Sequence, residues 1–196
     1  MDNSTKNLFL FTLLNTIWSS VFGLIGPFYV IHFEKLSFEK LGIAFGIMVF
    51  FQAFSSYLAG RFSDRIGRKP FLFLAGYVDS LIIFLYTVIK SNFQLYVLQG
   101  IFGITNGIAQ TMSTSLLGDI TTRERRGRSV GIFNAFVGIS SSAGLFLSSY
   151  IAELYGIKTI FYIASASMFL STFLLFGIKE DIVFDNKVRN KDNSNS

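Results

Sequence analysis

There is no cysteine anywhere in this chain, which excludes disulfides and thiolate-held metals. A single histidine, His32, leaves no imidazole cluster for a metal either. Charge is scarce as well. Asp, Glu, Lys and Arg make up 15% of the 196 residues, where a soluble domain averages about a quarter. Only two prolines interrupt the sequence. What fills the space is apolar: 51% of the residues are hydrophobic, 24 of them phenylalanine. Such a composition belongs in a bilayer.

A helix needs about 20 mainly apolar residues to cross the hydrocarbon. Six stretches meet that test, at 7–32, 41–60, 70–90, 93–117, 129–153 and 158–178. The second, LGIAFGIMVFFQAFSSYLAG, shows no two-residue alternation and is too long for a barrel strand, so helices are the way to satisfy its backbone in lipid. The expectation is an all-α membrane protein, a six-transmembrane-helix bundle between a short N-terminus, residues 1–6, and a polar tail, residues 179–196. That tail is rich in Asn, Asp, Lys and Ser and reads as disordered. Lys6 is the only cation before the first apolar run, and that run continues past signal-peptide length, so the first span is expected to persist in the mature protein.

Thirteen of the 17 Lys and Arg residues fall before span one, between spans two and three, between four and five, and after six. The alternate segments hold only Lys35, Lys40, Lys90 and Lys158. By the positive-inside rule both termini are cytoplasmic, with the plasma membrane as the expected location. The basic balance is thereby accounted for by topology and anionic lipid, with no call for nucleic acid.

The densest charge lies in GRFSDRIGRKP, Gly60 to Pro70, between spans two and three. Gly60 permits close approach, Gly67 a tight turn, and Pro70 suits the first turn of a helix, where its missing N–H costs little. Arg65, Arg68 and Lys69 suit lipid headgroups. Asp64 does not, and needs a cation or a helix N-terminus as partner. The stretch is similar to the signature between the second and third helices of the major facilitator superfamily, matching it at Gly60, Asp64, Arg65, Gly67, Arg68 and Lys69. VLQGIFG, Val97 to Gly103, resembles the start of that family's fourth helix. GDITTRERRGRSVGIF, Gly118 to Phe133, resembles its next cytoplasmic loop, and ELYGIKTIFYI, Glu153 to Ile163, its turn into helix six.

The resemblance implies half of the family's fold: one six-helix bundle of a secondary transporter, working by alternating access on a small-molecule solute bound near the midplane. It implies a second six-helix half, either another copy or a separate chain, and a gating role for Gly60, Asp64, Arg65, Gly67, Arg68 and Lys69, with Asp64 latched to the partner half or paired locally. Two departures stand out. Tyr96 occupies the place of the fourth-helix arginine, and GLFLSS, Gly144 to Ser149, replaces the proline- and glycine-bearing signature of drug/proton antiporters. A truncated or non-transporting membrane-embedded interaction protein is the alternative.

Polar residues inside the spans mark where a solute could pass. Gln99, Asn106, Gln110 and Ser113 lie on one stripe of span four; Asn15 and Ser19 lie on span one, and Asn134 on span five. Amides are poorly suited to lipid, so these faces are expected to turn inward, as solute-path or helix-gluing positions. Asp79 is the one acid deep in a span, either a proton site or a satisfied structural carboxyl. No cofactor motif is present, and the lone His32 sits far from the serine cluster GISSSAG, so an enzyme is not expected.

Overall fold

The computed structural model describes residues 3–32, 37–121 and 126–178; the side chains of 3–5, 27–32, 62–66, 120 and 126 fall outside that description. The described residues form six α-helices: α1 (Asn3–His32), α2 (Phe38–Ile66), α3 (Lys69–Leu85), α4 (Asn92–Ile120), α5 (Arg126–Tyr155) and α6 (Ile157–Thr172). A 3₁₀ turn, Phe173–Gly177, extends α6.

Four helical segments are long and apolar enough to cross a membrane by length and composition: Lys6–Gly26, Phe38–Arg61, Gly127–Tyr155 and Ile157–Gly177. The two remaining helices differ from them for separate reasons. α3 has only 17 residues, because the chain turns after Leu85: the amides of Thr87 and Val88 donate to Phe84 O and Leu85 O, both at 3.0 Å. α4 has 29 residues but is diluted by Gln99, Thr105, Asn106 and Gln110.

Each turn has a local cause. Gly67 and Gly156 adopt positive φ, 89° and 83°, which suits glycine and ends α2 and α5 abruptly. Pro70 stands in the first turn of α3. At the start of α4, Ser91 and Gln94 form a reciprocal capping box that satisfies backbone donors at both positions.

α2 packs chiefly on α4 and α1 chiefly on α5, while α3 is flanked by α4 and α6. The first two seams are built on glycine. Gly103 lies against the Met48 backbone, Gly107 against Gln52 O and Ser55 Oγ, Gly23 against Ser141 O, and Gly144 against Ser20 O. In lipid the solvent is as apolar as the side chains, so helices associate through such close backbone approach and interhelical hydrogen bonds. The core between the helices holds Phe11, Leu14, Leu72, Ile83, Phe161 and Met168, all fully buried. Trp18 belongs to this core and donates from Nε1 to Ser171 Oγ at 3.1 Å.

Candidate functional site: the charged α2–α3 turn and the polar faces of α1 and α4

The α2–α3 turn is fastened at two points. The Arg68 guanidinium forms an ion pair with Asp119, in the last turn of α4. It also donates to Ser115 O at 3.3 Å. Lys69 Nζ donates to Ile178 O at 2.7 Å, so the same turn grips the end of the 3₁₀ segment. A Cβ added at Gly60 would meet Thr111 Cγ2 of α4 at 3.9 Å. The side chains of Asp64 and Arg65 lie outside the described residues.

Asp119 carries a signal that the sequence reading passed over. Carbonyl groups make a helix C-terminus negative, so an acid in its last turn is disfavoured unless a cation neutralises it. Asp119 sits in that position with no basic residue in the same turn, and Arg68 supplies the charge from the α2–α3 turn.

The polar positions divide by what they touch. Asn15 Nδ2 donates to Phe11 O and Asn106 Nδ2 to Phe102 O, each at 2.9 Å, both within their own helices. Gln110 is exposed and accepts from Gln52 Nε2 at 3.2 Å. Gln52, on the facing side of α2, is a polar neighbour that hydropathy alone did not single out. Ser19 Oγ donates to Val137 O at 2.7 Å, joining α1 to α5. Gln99 is buried, whereas Asn134 stands exposed on α5. α1 and α4 meet at Phe22 and Phe102, with ring centroids 5.9 Å apart.

Asp79 is 1% exposed, in the interior of the bundle between α3 and α4. The Thr105 hydroxyl is hydrogen-bonded to Asp79 Oδ1 and also lies 3.0 Å from Phe102 O. Ser165 Oγ on α6 donates to Ser80 O at 2.8 Å, one residue along α3. The carboxyl therefore has a partner inside the bundle itself.

The helical bundle, the charged turn in GRFSDRIGRKP and its anchors on α4 converge with a direct comparison: the sequence model of the Major Facilitator Superfamily matches residues 8–193. The chain belongs to this superfamily. Among its curated relatives, the Uncharacterized MFS-type transporter YitZ of Bacillus subtilis is 25% identical over 78% of this chain and 94% of its own length. The Multi-drug resistance efflux pump PmrA of Streptococcus pneumoniae is 27% identical over 91% of this chain but 46% of its own length. The Multidrug resistance protein MdtG of Proteus mirabilis is 24% identical over 92% of this chain and 47% of its own. The chain thus spans about half the length of PmrA and MdtG and nearly all of YitZ. As a facilitator-superfamily member it is an integral membrane protein and belongs to a family of transporters, not of enzymes.

Proposed function

We propose that this chain is one six-helix half of a facilitator-type secondary transporter, with all six helices crossing the plasma membrane and both termini cytoplasmic. Paired with a second six-helix half, it moves a small solute by alternating access between the two bundles. The observation that carries the reading is the α2–α3 turn, whose Arg68 holds Asp119 of α4 and whose Lys69 holds Ile178. A turn pinned to two neighbouring helices moves with them as a rigid rim, which suits a gate at one end of a rocking bundle. Asp64, in the same turn, is the residue we assign to latching the companion half.

Asn15, Gln52, Asn106 and Gln110 offer uncharged donors and acceptors, the chemistry of a neutral hydrogen-bonding solute. The names of PmrA and MdtG make drug-like organic compounds the first panel to screen, although GLFLSS, Gly144 to Ser149, lacks the antiporter signature. Asp79 we assign to fastening α3 to α4 through Thr105.

The test is flux of such a panel into or out of membrane vesicles containing the full chain. Asp64→Ala and Arg68→Ala should abolish flux while leaving the protein inserted. A protein that stays inserted and moves no member of the panel would support the second reading, a membrane-embedded interaction protein, which the half-length span relative to PmrA and MdtG also accommodates.

A further inference from the structure

Two asparagines of this chain sit in the same local setting, and only one of them has a rival. Phe11, Asn15 and Ile17 on α1 recur at the same spacing as Phe102, Asn106 and Ile108 on α4. In both helices the asparagine reaches back one turn, its Nδ2 donating to the phenylalanine carbonyl at 2.9 Å. Both side chains are half-buried, and among the described residues that hydrogen bond is the only one either makes. Each keeps its Oδ1 and a second N–H for a solute.

The residue before the asparagine differs between the two helices. On α1 it is Leu14, which has no polar side-chain atom; on α4 it is Thr105, whose hydroxyl lies 3.0 Å from Phe102 O and 3.3 Å from Ile101 O. A helical carbonyl has two lone pairs and already serves a backbone amide of its own helix, so Phe102 O cannot bind both the Asn106 amide and the Thr105 hydroxyl well. Yet the Asn106 bond is as short as that of Asn15, which has no competitor. The hydroxyl is drawn elsewhere.

Asp79 draws it. Thr105 Oγ1 is hydrogen-bonded to Asp79 Oδ1, and a threonine hydroxyl has one proton to give. A carboxylate accepts more strongly than a peptide carbonyl, and a protonated carboxyl still offers its carbonyl oxygen as an acceptor. Among the described residues Asp79 makes no other side-chain hydrogen bond and no ion pair, so nothing there competes with Thr105 for it.

We propose that Asp79 and Thr105 are positioning residues for the amide of Asn106: the carboxyl takes the Thr105 proton, and Phe102 O is thereby left to hold the Asn106 side chain in one orientation. α1 reaches the same result through Leu14, by having no rival. α4 cannot, because the same hydroxyl fastens α3. This positioning matters to transport through Asn106, and so rests on the reading of that residue as a solute contact.

The test is a cycle of variants in the full chain, read by two measurements. Asp79→Leu removes the acceptor and returns the Thr105 proton to Phe102 O; it should raise the KM for a transported solute about fivefold, the worth of one neutral hydrogen bond, with kcat held. Adding Thr105→Val to Asp79→Leu removes the rival and should restore KM. A role in stability alone predicts otherwise, with the double variant no better than the single one. Asp79→Ala takes the place of Asp79→Leu in the cycle if that variant fails to insert. The second measurement needs no flux. With isotope-labelled asparagine, the Asn106 side-chain amide resonance, identified by its loss in Asn106→Ala, should shift in Asp79→Leu and return in the double variant, while that of Asn15 stays in place. An Asn106 resonance unmoved by Asp79→Leu, or a KM raised equally in single and double variants, overturns the proposal. If Asn106→Ala leaves KM unchanged while the resonance follows the cycle, the hold on Asn106 stands and its solute contact falls; if Asn106→Ala raises KM and the cycle moves neither readout, the solute contact stands and the positioning falls.

Discussion

At the seam between α2 and α4, backbone touches backbone; between α3 and α6, rings touch rings. Gly103 lies on the Met48 main chain and Gly107 on the Gln52 carbonyl, whereas Tyr77 meets Phe169 and Phe173 with centroids 5.2 and 5.9 Å apart. Phe73 and Phe176 continue that second cluster at 4.6 Å. A backbone cannot step aside for an intruding side chain, but an aromatic cluster exposed on one flank can repack. The two seams should therefore differ more in their tolerance of substitution than in their contact area.

The largest expected effect tests the first seam. Gly103→Leu drives a side chain into the Met48 backbone and should cost about 3 kcal/mol, the upper end of ordinary overpacking. Gly26→Ala, at an exposed glycine with nothing near its Cβ, should stay within about 0.5 kcal/mol of the parent. Reversible unfolding in detergent micelles measures both, and equal effects would show that close backbone approach at the α2–α4 seam carries no special cost.

Next comes the α3–α4 contact beneath them. Thr105→Val removes the hydroxyl from a buried carboxyl and should destabilise by about 1–3 kcal/mol. Asp79→Asn, which keeps hydrogen-bonding atoms in place, should preserve pH-driven uptake. Loss of that uptake in an inserted, folded Asp79→Asn protein would instead make Asp79 a proton site.

On the aromatic seam, Phe169→Leu forfeits ring contacts with Tyr77 and Phe173 but retains apolar bulk, for a loss of about 0.5–1.5 kcal/mol. A loss matching that of Gly103→Leu would show the ring cluster to be as rigid as the glycine seam.

The smallest stability effect belongs to the charged turn. Partly exposed ion pairs contribute about 0.2–1 kcal/mol, so Arg68→Ala should barely shift unfolding while stopping flux. Asp119→Ala should do likewise, and the double variant should be no worse than either single one, since partners in one pair are not additive.

Hydropathy made the all-helical bundle legible, because runs such as the one through Phe50 and Phe51 have no other way to satisfy their backbone in lipid. It was less informative about α4. There Gln99, Asn106 and Gln110 share a stripe by spacing, yet their partners depend on contacts no one-dimensional pattern contains: Asn106 bonds its own helix and Gln110 meets Gln52. Asp119 was recoverable in principle, from the cost of an acid at a helix C-terminus, but the identity of its cation required the fold. The glycines of α2 and α5 read alike in sequence. Only the packing separates Gly144, pressed on Ser20, from Gly131, which presses on nothing.

The bond from Lys69 to the carbonyl of Ile178 has a mechanical corollary. Whatever polypeptide follows the bundle sets out from beside the charged turn, tethered to it. A tag, reporter or further domain attached downstream would consequently load the rim formed by that turn and its neighbours, and Lys69→Ala would uncouple the two.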